Sequence, residues 1–175
     1  MALVGVRLVR PLLIGQAPSR SRPRLAPLSG PSGRRLAVYC GCNLAMFLQL
    51  FERRNLVTYW PGEAPGGGDL FPAAEGRRAA EAMREAVSDR VVVLLGAEVA
   101  RAFRLHRLPV LAWSKFHKDS LGAVAVCPHP SGRSRWWNEP ANREDAVRFW
   151  GKLARETAML QPLTPSPKAE RTSAP

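Results

Sequence analysis

The sequence has few cysteines, no long apolar run and, over its first 51 residues, no acidic side chain. Its three cysteines, Cys40, Cys42 and Cys127, are an odd number without regular spacing, which argues against a disulfide framework. They also fall short of the four thiolates of an ordinary iron–sulfur cluster, so we expect buried apolar thiols in a reducing cytoplasm. No apolar run approaches the roughly 18 residues of a membrane span, so we expect a soluble domain without a membrane partner.

The shortage of acid leaves the chain strongly positive. Its net charge is +12, from 26 Lys and Arg against 14 Asp and Glu, and residues 1–51 hold seven Arg and no Lys. A field of this sign favours a phosphate backbone or an anionic membrane surface. Arg outnumbers Lys 22 to 4, a skew that genomic base composition alone could produce, so charge favours a nucleic-acid partner without establishing one.

The arginine-rich N-terminus admits two interpretations. Residues 1–24 are free of acid, as a mitochondrial transit peptide would also be. Residues 10–15, Arg-Pro-Leu-Leu-Ile-Gly, predict instead a buried strand that runs into a turn, which a discarded peptide does not need. We therefore expect this segment to belong to the folded domain.

The pattern along the chain predicts one α/β domain over residues 1–160, a monomer. Four continuous apolar runs are typical of parallel strands covered on both faces: Leu12–Ile14, Val91–Leu95, Val110–Trp113 and Ala123–Cys127. Helices are predicted at Arg34–Phe51, Ala73–Val87 and Ala97–Leu105, and from near Pro140 or Asn142 onward, where Ala146, Val147, Trp150, Leu153, Ala154 and Thr157 form a stripe. This alternation predicts a three-layer α/β/α sandwich with a four-stranded parallel sheet. Residues 161–175 are predicted to be a disordered tail.

Two loops at the ends of predicted strands have the composition of a binding site. Residues 15–19, Gly-Gln-Ala-Pro-Ser, follow the first strand, and ligands of doubly wound sheets gather at the carboxyl ends of strands. Residues 127–134, Cys-Pro-His-Pro-Ser-Gly-Arg-Ser, follow the last strand and fix His129 between two prolines. The Arg and Trp side chains of residues 133–137 suit contacts with phosphates and bases. A plain strand-to-helix turn and a structural histidine are the alternatives.

Together these loops resemble the uracil-DNA glycosylase superfamily over roughly residues 10–158. Residues 15–19 resemble its first motif, Gly-Gln-Asp-Pro in the best known branch and Gly-Glu-Ala-Pro-Gly in the thermophilic iron–sulfur branch. Residues 129–134 resemble the second motif, His-Pro-Ser-Pro-Leu-Ser. Residues 27–36 follow the Pro-Phe-x-Gly-x-Ser-Gly-x-x-Leu pattern of the iron–sulfur branch. Asn55 stands where the superfamily places its base-reading Asn, and Val93-Leu94-Leu95-Gly96 with Ala100 resembles the strand and helix before the second motif.

The resemblance implies an enzyme of base-excision repair that flips a deaminated base, uracil or similar, from single- or double-stranded DNA and hydrolyses its glycosidic bond. His129 would stabilise the oxyanion that develops on the base, and Gln16 or nearby main-chain groups would hold the attacking water. The implied base-binding residues are Ala17, Pro18, Leu28 and Asn55, and the implied DNA-binding residues are Ser19, Ser131, Gly132, Arg133, Ser134 and Arg135, with Arg133 as the wedge in the base stack. We expect neither a metal nor a cofactor.

The first motif departs from the family at the residues that matter for catalysis. Ala17 replaces the water-activating Asp of the best known branch, and Gln16 replaces the Glu of the iron–sulfur branch, so neither can act as a general base. Leu28 replaces a base-stacking Phe, and the cluster cysteines are absent. Asp69, in the Gly-rich stretch of residues 59–72, is a candidate for the missing carboxylate or for a cap of the following turn. That stretch also contains Gly-Glu-Ala-Pro-Gly at residues 62–66, which we interpret as loop because no strand precedes it.

Three hypotheses remain open on the sequence alone. The first is a glycosylase that acts on uracil or another deaminated base. The second is a non-catalytic nucleic-acid binding protein on the same fold, which Gln16 and Ala17 favour. The third is an enzyme that uses the same edge of the sheet for a nucleotide or sugar phosphate, although no Gly-rich phosphate-binding fingerprint is present.

Overall fold

A computed structural model describes residues 9–20, 26–131 and 134–160. The predicted tail at 161–175 and the site candidates Gly132 and Arg133 lie outside the described residues. The elements in chain order are β1 (Leu12–Gly15), α1 (Pro31–Tyr39), α2 (Leu44–Leu50), β2 (Glu52–Asn55), α3 (Ala73–Val87), β3 (Val91–Leu95), α4 (Ala97–Ala102), β4 (Trp113–Ser114), β5 (Ala123–Cys127), a 3₁₀ helix (Arg135–Asn138) and α5 (Pro140–Leu160).

The described strands form one sheet in the order β2-β1-β3-β5-β4. The first four of these strands run parallel, and β4 runs antiparallel to β5. The predicted α/β class is therefore confirmed, but the predicted count of four strands is wrong because the sheet has five. The run Val110–Trp113 is not a parallel strand. Leu111 has φ 58°, which turns the chain, so Val110 makes one parallel bridge and Trp113 pairs in the opposite direction.

The strand β2 escapes prediction because Glu-Arg-Arg-Asn has no apolar residue. It lies at the edge of the sheet, where only β1 pairs with it, and an edge strand can carry charged side chains toward solvent. Glu52 forms an ion pair with the half-buried Arg90, with Oε2 2.6 Å from Nη2. This pair offsets charge that the sheet partly buries.

The helix expected over Arg34–Phe51 is two helices. Gly41, at φ 70°, turns the chain after α1, and Asn43 begins α2 by accepting the Met46 N–H at 2.9 Å on its side-chain oxygen. The helix α3 has the predicted bounds. The helix α4 ends at Ala102 rather than Leu105, because Arg104 adopts φ 60° and ends the turn.

Both faces of the sheet are covered, as three layers require. Leu13, Val93 and Leu95 pack against α1, α2 and α5, while their neighbours along the strands pack against α3 and α4. This alternation of faces explains the continuous apolar runs. In α5, the predicted stripe is buried except for Val147, which is 51 % exposed because it lies one helical step beyond the edge of the stripe.

The parallel strands β1, β2, β3 and β5 end at Gly15, Asn55, Leu95 and Cys127. Because these carboxyl ends lie along one edge of the sheet, the segments that follow them are brought together there. Gly15, Leu95 and Cys127 are buried, whereas Asn55 is half-buried.

Candidate active site

A cleft of about 700 Å³ opens at the carboxyl edge of the parallel strands. Its walls come from the loops after β1 and β5, from the end of β2, from residues 26–32 at the start of α1, and from residues 67–69 of the Gly-rich loop. Nine of the candidates from the sequence line it: Gln16, Ala17, Pro18, Ser19, Leu28, Asn55, Asp69, His129 and Ser131. The fold therefore gathers into one cavity residues that lie up to 115 positions apart, from Gln16 to Ser131.

The described candidates Ser134 and Arg135 do not line the cleft. They lie where the chain enters the 3₁₀ helix, immediately after the His129 loop, and Arg135 is exposed. Their place is beside this loop rather than among the groups that face the cavity.

The first loop continues the pairing of β1 with β2 beyond the strands. The Leu56 and Val57 N–H groups donate to the Gly15 and Gln16 carbonyls at 2.9 and 3.0 Å. The Gln16 side chain does not extend into the cavity unattached, because its Nε2 donates to the Leu70 carbonyl at 3.4 Å. Gln16 thus joins the first loop to the Gly-rich loop.

Asn55 approaches the first loop closely because residue 15 is glycine. A Cβ at Gly15 would lie 2.7 Å from the Asn55 Oδ1, too close for any real side chain. Gly15 and Asn55 are also partners in the β1–β2 register. The absence of a side chain at position 15 is therefore what lets the Asn55 amide lie across the end of the sheet.

His129 is held in one orientation by its own loop. The Ser131 N–H donates to its Nδ1 at 3.2 Å, and the Trp137 indole N–H donates to its carbonyl at 2.8 Å. Burial lowers the pKa of His129 and the Asp69 carboxylate raises it in part, so the imidazole is neutral at neutral pH. Since Nδ1 acts as an acceptor, the proton of the neutral ring is on Nε2. The loop therefore presents a neutral N–H donor at the cleft.

Leu28 lines the cleft in a strained conformation. Its φ is 60°, in the left-handed region that residues other than glycine rarely adopt. The close packing of α1 accounts for this, because a Cβ at Gly33 would lie only 1.6 Å from the Leu28 carbonyl oxygen. The turn that carries Leu28 thus rests directly on the backbone of α1.

The Gly-rich loop folds back as a small hairpin that brings a carboxylate to the cleft. Glu63 and Asp69 form an antiparallel bridge, and the Ala64 N–H donates to the Gly68 carbonyl at 2.8 Å. The Trp60 indole N–H donates to the Asp69 Oδ1 at 2.8 Å, which orients the carboxylate. Residues 62–66, the second copy of the motif, belong to this hairpin and do not line the cleft.

Arg35 also lines the cleft, although the sequence did not single it out. Its Nη1 donates to the Ser131 carbonyl at 3.0 Å, a bond between residues 96 positions apart. Among the described residues that line the cavity, Arg35 and Asp69 are the ones with a full charge. Gly33 and Leu36 are on the buried face of α1, and helical spacing places Arg35 next to that face. This spacing is the signal in the sequence that could have indicated that Arg35 belongs to the site.

The described residues contain no cluster of three or more His, Cys, Asp or Glu side chains that could hold a metal ion. Among the same residues, no helix is long and apolar enough to cross a membrane.

A search of curated proteins found no match. A family model described as Uracil DNA glycosylase superfamily matches residues 5–154, which is most of the chain and spans every wall of the cleft. This match confirms the resemblance drawn from the motifs after β1 and β5. Since the match and the loop geometry agree over the same residues, the chain belongs to the uracil-DNA glycosylase superfamily.

Proposed function

We propose that this protein is a DNA glycosylase that flips a deaminated base, uracil or a similar one, into the cleft and hydrolyses its bond to deoxyribose. Membership of the superfamily supports a glycosylase-like function in general. The observation that carries the specific proposal is the neutral His129 N–H donor in the same cavity as the Asn55 amide. Excision of a flipped base needs a group that recognises its edge and a hydrogen-bond donor that stabilises the base as it leaves as an anion.

Cleavage of the glycosidic bond moves its electron pair onto the base. The sugar becomes cationic at C1′ while an oxygen of the base becomes anionic, so catalysis is mainly electrostatic. His129 Nε2–H donates to that oxygen. Because burial keeps the imidazole neutral, the proton stays on the enzyme as a hydrogen-bond donor during bond cleavage.

Recognition of the base falls to Asn55 and to the walls around it. The amide of Asn55 offers a donor and an acceptor, which matches the alternating edge of uracil. Ala17 and Pro18 of the first loop and Leu28 of the turn before α1 supply half-buried apolar surface for the ring. Leu28 has no aromatic ring, so it packs against the base by apolar contact instead of stacking on it.

Asp69 supplies the carboxylate that the first motif lacks. Its Oδ1 is bound to the Trp60 N–H, and the other carboxylate oxygen is left to hold a water at the cleft. That water adds to C1′ and gives its proton to Asp69, and the base leaves as the anion that His129 stabilises. Gln16 contributes by holding the main chain next to Asp69 through the Leu70 carbonyl.

The DNA backbone is held at the rim of the cleft. Ser19 and Ser131 both line the cleft, and in the proposed complex they contact phosphates on either side of the flipped nucleotide. Ser134 and Arg135 extend this contact along the chain after the His129 loop, and Gly132 and Arg133 keep the roles implied by the second motif.

The second candidate is a non-catalytic DNA-binding protein on the same fold. It is favoured by one observation, the bond from Gln16 Nε2 to the Leu70 carbonyl, which engages the Gln16 amide in the structure of the loops. The first motif has no side-chain carboxylate at Gln16 or Ala17 to act in its place.

An assay for abasic sites separates the two candidates. The protein is incubated with oligonucleotides that carry uracil, hypoxanthine or xanthine, single-stranded and duplex, and abasic sites are revealed by alkaline cleavage. We expect cleavage at one of these bases. We also expect Asp69→Asn to lower the rate by about 100-fold, as loss of general base catalysis does.

Glu63→Gln is the matched control, because Glu63 is paired with Asp69 in the same hairpin but does not line the cleft. It should excise like the unchanged protein. DNA binding without abasic sites on any of the substrates would support the non-catalytic candidate instead.

A further inference from the structure

We infer that Arg35 is a positioning residue, which keeps His129 in its Nε2–H form by fixing the Ser131 backbone from the facing helix. The inference deepens the proposed function, and its prediction about the rate of excision rests on that function. Its structural part, the state of the His129 ring, stands on the geometry of the loop alone.

The first step is the contact itself. Arg35 is half-buried in α1, and its Nη1 donates to the Ser131 carbonyl at 3.0 Å. Arg34, its neighbour on the same helix, is exposed. The two arginines therefore share a helix, a charge and a length but differ in their contact with the His129 loop.

The second step is the position of Ser131 between two constraints. Pro130 precedes it and has its own φ fixed by the pyrrolidine ring. The Arg35 guanidinium holds the carbonyl that follows it. With both sides of the residue fixed, the Ser131 N–H is directed at the His129 Nδ1, at 3.2 Å.

The third step is the consequence for the ring. A neutral imidazole has its proton on one nitrogen, and the hydrogen bond at the other nitrogen decides which one. With the Ser131 N–H in place, Nδ1 is an acceptor and the proton is on Nε2. If the Ser131 backbone rotates away, the proton can move to Nδ1, and His129 then presents a lone pair where a donor is needed.

The Trp137 indole cannot replace Arg35 in this role. Its single N–H donates to the His129 carbonyl at 2.8 Å and so fixes where the loop lies, which leaves that group no second hydrogen bond for the Ser131 peptide. The other charge at the cleft, Asp69, acts on the His129 pKa through its field and does not hold the loop.

The test reads the ring directly, by ¹⁵N NMR of labelled histidine in the full chain. In the unchanged protein we expect Nε2 protonated and Nδ1 unprotonated at neutral pH. Arg35→Ala should populate the Nδ1–H form and raise the pKa of His129. Arg34→Ala, the matched control, should leave both unchanged.

Arg35→Lys keeps the charge while removing the planar fork, and it serves if the alanine variant does not fold. A rise in the pKa of His129 in Arg35→Lys would come from the weakened hydrogen bond rather than from lost charge. Excision by Arg35→Ala should fall by up to about 100-fold in kcat with KM unchanged, because a displacement of about 1 Å costs that much in rate.

An unchanged tautomer and pKa in both Arg35 variants would overturn the inference, as would an Nδ1–H ring in the unchanged protein. These outcomes are independent of the proposed function. A shifted tautomer in a protein that excises no base would sustain the role of Arg35 and reject the glycosylase, whereas excision with an unshifted tautomer would do the reverse.

Discussion

At the scale of single residues, the chemistry of the cleft depends on how His129 is surrounded. Burial disfavours its protonated form and Asp69 favours it, and the balance lies on the side of the neutral ring. A neutral donor gains most when negative charge develops on its partner, which happens as the base departs and not before. His129 should therefore affect the rate of excision far more than the affinity for DNA.

Replacement of His129 tests this separation. His129→Ala should lower the excision rate by about 100- to 1000-fold, the cost of about 2.7–4 kcal/mol for losing one such donor, and leave DNA affinity unchanged. Single-turnover excision and fluorescence anisotropy measure the two quantities. His106→Ala is the control, because His106 is exposed and does not line the cleft. Parallel losses of rate, affinity and thermal stability would assign His129 a structural role instead.

The acid response of His129 follows from the direction of its pKa. The pKa in the folded protein lies below the ordinary value of about 6.5, so between the two values the unfolded chain binds the proton more readily. The free energy of unfolding should therefore fall as the pH drops through that window. Asp69→Asn removes the charge that raises this pKa, so an NMR titration should give a still lower His129 pKa; a higher one would contradict the proximity of the two side chains.

At the scale of elements, α1 organises three walls of the cleft. Its first turn lines the cavity, Arg35 reaches the His129 loop, and Gly33 supports the turn that contains Leu28. Displacement of this helix would therefore affect the base-contacting wall and the His129 loop together.

Gly33→Ala displaces that helix in a controlled way. The added Cβ would lie 1.6 Å from the Leu28 carbonyl oxygen and 2.7 Å from its carbon, so backbone must move. We expect a loss of about 1–3 kcal/mol in the free energy of unfolding, measured by urea denaturation, and reduced excision. Gly66→Ala, where an added Cβ meets nothing within 4 Å, should change stability by less than about 0.5 kcal/mol. Equal stabilities of the two variants would show that α1 and the Leu28 turn are not packed as described.

At the scale of the whole molecule, the net charge of +12 should make DNA binding depend on salt. Each phosphate neutralised contributes a slope of about −0.9 in log affinity against log salt on duplex, or about −0.7 on single strands. Arg135→Ala should reduce the slope by about one. Arg101→Ala is the control, since Arg101 is paired with Glu98 on α4. Affinity that stays flat with salt, or a preference for acidic vesicles over DNA in competition, would exclude this mode of binding.

The sequence predicted the parts of the fold that have a regular apolar pattern, which is a continuous apolar run in a buried strand or helical spacing in a helix. The strands Val91–Leu95 and Ala123–Cys127 have the predicted bounds, and the helix Ala73–Val87 has them too. The strand Glu52–Asn55 was missed because its residues are polar, and pairing with β1 alone makes it a strand. The break after Tyr39 was missed because no proline marks it.

The candidate site shows the same division. Its loops were found because strand ends and short motifs are local features, and nine of their residues lie in the cleft. The bonds that determine what these residues can do were not found. The bond of Arg35 with Ser131 joins a helix to a loop, that of Gln16 with Leu70 joins two loops, and that of Trp60 with Asp69 closes the Gly-rich loop on itself.

The sequence by itself determined the α/β class, the superfamily and nine of the residues that line the cleft, because strand propensity, helical spacing and loop motifs are encoded locally. The tertiary structure alone decided that Gln16 holds the Gly-rich loop, that Asp69 enters the cleft and that His129 has its proton on Nε2. The first depends on a hydrogen bond between residues 54 positions apart, which forms only after the strands that carry the two loops have been packed. The other two depend on bonds inside one loop, from Trp60 to Asp69 and from Ser131 to His129, and those bonds need the loop to be held in place by the elements around it.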